Sequence, residues 1–204
     1  MFDALAAGIE QGGLRDRTQI RLLICYVLKA ADQPVLREDI LAILQRDGLV
    51  NYFEAGEAIA ELCQNGNLTL NEADGKSMVR VTETGAKIAD TLQRDLPLTV
   101  REKAVAAAVK ILTRRRRESE NAVNIEKTEH GYTVTCTVLD GRTELLTTRL
   151  LVSDRMQAEL VENQFYEDPA GVYSGVISLL TGDIGVVTEY LKTKKEYPNS
   201  AGEK

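Results

Sequence analysis

The segment GNLTLNEADGKSMVRVTETG, residues 66–85, decides how the first half of the chain is expected to fold. Apolar and polar residues alternate on both sides of Asp74-Gly75, which predicts two short β-strands. Asp-Gly is also a favoured two-residue hairpin turn. Thr82 follows the second run and is a typical helix N-cap residue. It predicts a helix that continues to Leu92 and passes Gly85, whose missing side chain allows close packing against the hairpin.

Three amphipathic segments precede this hairpin. Residues 18–31, TQIRLLICYVLKAA, repeat apolar side chains at helical spacing, and Asp16 is suited to be their N-cap. Residues 37–48, REDILAILQRDG, repeat them in the same way, with Gly48 suited to the C-terminal end. The third helix is predicted over Tyr52–Gln64, with Asn51 and Glu54 as a capping box at its start.

Three helices followed directly by a hairpin are the element order of a winged helix-turn-helix domain, predicted here over residues 1–97. Residues 98–120 are rich in alanine and predict a long linking helix. Its apolar stripe from Val105 to Leu112 favours a homodimer contact. From residue 121 to residue 192 the sequence predicts a small α+β domain, and the polar tail at residues 193–204 is predicted to be disordered.

The α+β domain begins with three runs of period-two alternation, which predict a three-stranded antiparallel meander. Two or three helices follow. Ser153 or Asp154 is suited to cap a helix that reaches about Tyr166, and Asp168-Pro169 has the N-cap and first-turn residues of another that ends at Gly182. A further short helix is predicted over Val186–Lys192.

The fragments ILAILQRDGLVNYFEAGEAIAEL, NGNL, VRVTETGAKIADTL, VREK and YTVTCTVLD together resemble an uncharacterised bacterial family, the domain of unknown function numbered 4364. The resemblance covers nearly the whole chain and rests on the order and spacing of these fragments. It implies a winged-helix fold with an appended α+β domain and a role in transcriptional regulation. It implies no particular ligand, operator or catalytic residue.

The composition limits the classes of function. The chain has 204 residues, of which 44% are hydrophobic and 27% charged, and it contains no apolar run near the roughly 20 residues of a membrane span. The first residues lack the features of a signal peptide, so we expect a cytoplasmic protein without a membrane partner. Cys25, Cys63 and Cys136 form no CxxC pair, and His130 is the only histidine. We therefore expect reduced thiols, no metal, no cofactor and no enzymatic activity.

The charge distribution opposes simple DNA binding. The net charge is −6, and residues 34–83 contain four cations against nine carboxylates. In a winged-helix domain the third helix enters the major groove. Its expected outward residues are Tyr52, Glu54, Glu57, Glu61 and Gln64. None of these is basic, so three carboxylates would face a polyanion.

Basic residues elsewhere are the candidates for phosphate contacts, with solvated surface charge as the alternative for each. They are Arg15, Arg17 and Arg21 near the first helix, Lys76 and Arg80 on the hairpin, and Arg114, Arg115, Arg116 and Arg117 on the long helix. Together with Tyr52 and Gln64 they form the predicted DNA-binding set.

Two functional hypotheses follow. The favoured one is a dimeric DNA-binding transcriptional regulator that contacts double-stranded DNA and carries a C-terminal domain for sensing an effector or for assembly. The alternative is a protein–protein interaction module whose acidic third helix docks a partner and does not bind DNA.

Overall fold

The structure, a computed structural model, describes residues 13–73, 75–183, 185 and 187–188. Over these residues the chain forms seven α-helices and two three-stranded antiparallel sheets, which confirms the predicted α+β class. The chain divides into two compact units between Thr113 and Arg114. The predicted helix over Val186–Lys192 lies almost entirely outside the described residues, and the predicted disordered tail at residues 193–204 lies wholly outside them.

The first unit has the predicted order of three helices and a hairpin. Its elements are α1 (Arg17–Ala31), β1 (Val35–Leu36), α2 (Arg37–Gln45), α3 (Tyr52–Gln64), β2 (Leu68–Ala73), β3 (Lys76–Val81), α4 (Glu83–Leu92) and the first part of α5 (Leu98–Glu120). The sheet order is β1-β3-β2. Ala73 pairs with Lys76, so the turn has two residues, and Gly75 adopts a left-handed φ of 72° that suits glycine. Assignment of this unit to the winged-helix class stays a prediction.

Side-chain caps set the starts of the helices as predicted. The Asp16 carboxylate accepts a hydrogen bond from the Gln19 amide at 2.9 Å, and Asn51 Oδ1 accepts one from the Phe53 amide at the same distance. Thr82 Oγ1 accepts from the Gly85 amide at 3.2 Å. Each cap satisfies an N–H group that the first helical turn leaves without a partner.

The apolar stripe of α5 is partly used inside the first unit. Val100, Ala104 and Ala108 are buried in the same core as the apolar sides of α1, α2 and α3. Val109, which the sequence placed on that stripe, instead has an exposed fraction of 60%. The small alanine side chains allow α5 to approach the core closely, so the buried side of the helix is rotated away from Val109. The stripe therefore gives no support to a homodimer contact through α5.

The second unit is the predicted meander with helices on one face of the sheet. Its elements after α5 are β4 (Asn121–Thr128), β5 (Gly131–Asp140), β6 (Thr143–Val152), α6 (Arg155–Glu167) and α7 (Pro169–Thr181). The strands lie in the order β4-β5-β6. Its core consists of Val134, Cys136 and Val138 from the sheet with Ala158, Phe165 and Tyr166 from α6. Of the two residues predicted for the cap of α6, Asp154 takes that position, and Asp168 caps α7 as predicted.

Candidate functional site

The exposed surface of α3 begins with two aromatic side chains. Tyr52 and Phe53 occupy the first turn of the helix, directly after the Asn51 cap, and their exposed fractions are 45% and 74%. Their rings meet edge to face, with centroids 5.6 Å apart and planes inclined at 84°. Because the cap fixes the start of the helix, this aromatic pair is held outward on a rigid element.

Two of the three α3 carboxylates form ion pairs with α1. Arg17 Nη2 lies 3.1 Å from Glu57 Oε2, and Arg17 Nη1 lies 3.8 Å from Glu61 Oε1. Arg21 Nη1 lies 2.9 Å from Glu61 Oε2. These side chains are one third to two thirds exposed, so each pair contributes at most about 1 kcal/mol to stability. The pairs nevertheless place two of the predicted phosphate contacts directly beside carboxylates.

The third carboxylate of α3 was expected to face outward, but it does not. Glu54 is half-buried, and its Oε2 atom has no hydrogen-bond partner among the described residues. It lines a depression between α1 and α3 together with Ile20 and Ala58. The depression has a volume of about 10 Å³, which is close to the space of one water molecule. This part of the surface offers no room for a small ligand.

The remaining predicted residues of the first unit are exposed and dispersed. Arg15 precedes α1, and Gln64 is the last residue of α3. Lys76 lies beside the hairpin turn, whereas Arg80 pairs across the hairpin with Thr69. No ion pair involves Arg15, Lys76 or Arg80 within the described part of the chain. The hairpin also carries Glu72 and Asp74, so its own charge is balanced.

Arg114 is a packing residue of the second unit. Its Nε atom lies 2.6 Å from Glu118 Oε1, and its Nη atoms donate to the backbone oxygen and to Oδ1 of Asn163, both at 3.2 Å. Its guanidinium carbon stands 4.7 Å from the ring centroid of Tyr166, within the range of a cation–π contact. Three of these interactions hold the cation against α6, and the fourth joins it to Glu118 within α5.

Arg117 has a similar structural role at the C-terminal end of α6. Its Nη1 atom donates to the backbone oxygens of Tyr166 and Glu167, the former at 3.4 Å. Carbonyls at a helix C-terminus lack partners within the helix and carry partial negative charge, so a cation there is favourable. Like Arg114, Arg117 is engaged inside its own unit.

The other two arginines of the run are more exposed. Arg115 Nη1 lies 3.3 Å from Glu118 Oε2, and Arg116 Nε lies 3.6 Å from Glu120 Oε1. Helical geometry points four consecutive residues in four directions, which separates the roles of the arginines. Two of these arginines, Arg114 and Arg117, contact residues about 50 positions further along the chain. These partners are Asn163, Tyr166 and Glu167. Neither spacing nor composition indicated these partners.

A second depression lies at one end of the sheet in the second unit. Its volume is about 800 Å³, and it is lined by Arg116, Arg117, Asp140, Asp168 and Tyr173 among others. Its cations already meet carboxylate or carbonyl oxygens, and Asp168 caps α7. Because these charges are already compensated, the lining selects neither an anionic nor a cationic ligand.

Burial governs the chemistry of the three cysteines. Burial raises the pKa of the Cys25 thiol from 9.0 to about 11. It also raises the pKa of Cys63 and of Cys136, although the Arg37 guanidinium opposes the shift at Cys63. All three thiols are free, as the sequence predicted. His130 is exposed in the turn between β4 and β5.

These observations define a class of protein: a two-unit α+β chain whose first unit presents an aromatic, charge-balanced helix surface. The model of the family described as domain of unknown function (DUF4364) matches residues 20–180, and the chain belongs to this family. No curated protein and no solved structure matched the chain. Within the described residues, every helix is too short or too polar to cross a membrane.

Proposed function

We propose that the first unit is a winged helix-turn-helix module that binds a protein partner through the start of α3, without catalysis. The observation that carries this proposal is the exposed edge-to-face pair of Tyr52 and Phe53. Aromatic side chains are enriched at the centres of protein interfaces because they bury a large area at a low cost in conformational entropy. Phe53 has no polar atom that would favour its exposure to water.

The electrostatics of the same surface favour a protein over DNA. Arg17 and Arg21 supply positive charge, but Glu57 and Glu61 lie within 4 Å of them. DNA affinity depends on cations that replace the counterions of phosphates. If the arginines turned to phosphates, the two carboxylates would be left unpaired near a polyanion. A surface whose cations are already paired with carboxylates therefore gains little binding free energy from contact with DNA.

Site-specific photo-cross-linking in the native cells tests this proposal. A benzoylphenylalanine residue in place of Phe53 should give a discrete adduct with another polypeptide, and Tyr52→Ala in the same chain should weaken that adduct. The matched control carries the photoreactive residue at Leu98, which is similarly exposed at 60% but lies on α5. Equal adducts at both positions, or an adduct that nuclease digestion removes, would contradict a protein-docking role for α3.

The second candidate function is DNA binding in transcriptional regulation, with the second unit as a sensing or assembly domain. It is favoured by the exposed cations Lys76 and Arg80 on the hairpin, which make no ion pair among the described residues. Phe53 and Gln64 are also residue types that contact thymine methyl groups and adenine edges.

A salt series with random duplex DNA tests the second candidate. If both hairpin cations contact phosphates, the slope of log affinity against log salt should become shallower by about two in the Lys76→Ala/Arg80→Ala variant. An Arg115→Ala/Arg116→Ala variant, which keeps the packing residues Arg114 and Arg117, shows whether the exposed part of the arginine run contributes. Absence of binding at low salt would remove this candidate and leave protein docking.

A further inference from the structure

Strand β6 is an open edge of the sheet in the second unit. It is the last strand in the order β4-β5-β6, so only its side toward β5 is paired within the described part of the chain. Seven of its ten residues are exposed, among them Leu145, Leu150 and Leu151. Every second residue of an edge strand directs its backbone N–H and C=O groups away from the sheet. A long edge with exposed leucines is therefore a site where another strand can be added.

The two charged residues of β6 lie on one face of the sheet, at equal distances from Thr147. Arg149 pairs with Thr135, and Thr147 pairs with Thr137, two positions further along β5. Glu144 pairs two positions beyond that, because a β-bulge takes up one extra residue of β6. Positions two apart on a strand point to the same face. In agreement, the Thr147 hydroxyl donates to Glu144 Oε2 at 3.4 Å.

We infer that β6 pairs with β6 of a second copy of this chain, antiparallel and about a two-fold axis at Thr147. Because the two charges are equally far from Thr147, Arg149 of each copy then lies opposite Glu144 of the other. A two-fold axis perpendicular to the sheet also keeps corresponding faces aligned, as antiparallel pairing requires. The two three-stranded sheets join into one continuous sheet, and neither copy keeps β6 as an open edge.

The charge pattern selects a second copy of this strand. A cation and a carboxylate placed symmetrically about one residue are complementary to the same strand running in reverse, so that opposite charges meet and like charges do not. Arg149 makes no ion pair with a described residue, so this cation is available. Since β6 carries one charge of each sign, the contact brings together no net charge, even in a chain whose total is −6.

The other edge strand of the sheet, β4, lacks this pattern. Its charged residues are Glu126 and Lys127, which are neighbours and therefore point to opposite faces. No two-fold pairing of β4 places one of them opposite the other, because residues that face each other across antiparallel strands share a face. The inference for β6 does not depend on the proposed function of α3.

Sedimentation velocity of the full chain from about 1 to about 200 µM tests the inference, since a contact of this size is expected to have a micromolar Kd. The wild type should change from monomer to dimer across this range. Arg149→Glu should raise the dimer Kd about tenfold, because two attractive pairs become repulsive, and Glu144→Arg should do the same. An equimolar mixture of the two variants should dimerise as the wild type does, because each cation again faces a carboxylate.

Lys127→Glu is the matched control, because it makes the same change of charge on the other edge strand, and it should leave the Kd unchanged. Disulfide trapping in a Cys63→Ser background tests the register. Thr147→Cys should form a linked dimer on oxidation, because the Cα atoms of directly opposite residues are about 4.5–5.5 Å apart. Leu151→Cys should not, because its two copies would lie roughly 25 Å apart along the strands.

Each of four results would overturn the inference. They are a wild type that stays monomeric throughout, which would leave the edge to a strand of another protein, an Arg149→Glu variant that dimerises as the wild type does, a mixture no better than its separate components, and a Lys127→Glu variant that is equally impaired. Far-UV circular dichroism shows whether each variant keeps its fold, and the disulfide test does not require a charge change.

Discussion

Replacement of Gly85 by alanine gives the sharpest test of the packing between the hairpin and α4. A β-carbon at this position would lie 2.3 Å from the backbone oxygen of Asn67 and 2.9 Å from Cγ2 of Val81. The Asn67 oxygen cannot retreat easily, since it accepts hydrogen bonds from both the amide and Oγ1 of Thr82, each at 3.0 Å. Overpacking a buried site costs about 3 kcal/mol. Alanine's better helix propensity recovers less than about 1 kcal/mol.

The net loss of about 2 kcal/mol corresponds to a drop in Tm of roughly 10 °C for a unit of this size. Gly56→Ala is the matched control, because it makes the same change within α3 of the same unit. There the added carbon would meet only the flexible end of Arg37 at 3.5 Å, so helix propensity should raise stability by about 0.5–1 kcal/mol. Thermal and urea unfolding followed by circular dichroism measure both variants. A Gly85→Ala protein as stable as the wild type would refute the close approach.

Three further predictions concern the buried thiols and the packed guanidinium of Arg114. Between pH 9.0 and about 11 the folded protein keeps the Cys25 proton, whereas the unfolded chain releases it. The free energy of unfolding should therefore fall over this range by about 2–3 kcal/mol more in the wild type than in Cys25→Val. Urea unfolding at each pH measures this difference. Alkylation of the native protein should modify half-buried Cys63 well before Cys25, and equal rates would contradict the burial order. Arg114→Lys should destabilise by about 1 kcal/mol through the lost contact with Tyr166, whereas Arg116→Lys should have almost no effect in the same melts.

Local chemistry made most of the elements predictable from the sequence. The bounds of α3 follow from a capping asparagine and an apolar repeat, and both are properties of neighbouring residues. The hairpin follows from Asp74-Gly75 between two alternating runs, and the start of α4 follows from Thr82. The contact at Gly85 was also predictable, because a glycine in the first turn after a strand suggests a close backbone approach.

The parts that could not be predicted depend on residues far apart in the chain. Arg17 and Glu57 are separated by 40 positions, and Arg114 and Asn163 by 49, so no spacing rule connects them. The exposure of Val109, a member of the apolar stripe of α5, could not be predicted for a related reason. Alanine and valine are both apolar, so the sequence does not show that the core takes Ala104 and leaves Val109 exposed.

The pairing of α1 with α3 changes what an acidic third helix means. From the sequence, carboxylates on that helix indicate a surface that repels DNA and attracts a basic partner. With Arg17 and Arg21 beside Glu57 and Glu61, the surface is balanced, and it exerts little long-range attraction on either kind of partner. Burial of the Phe53 side chain, by contrast, is worth about 1.5–3 kcal/mol. A partner that accommodates this ring in an apolar pocket therefore gains more from α3 than one selected by charge alone.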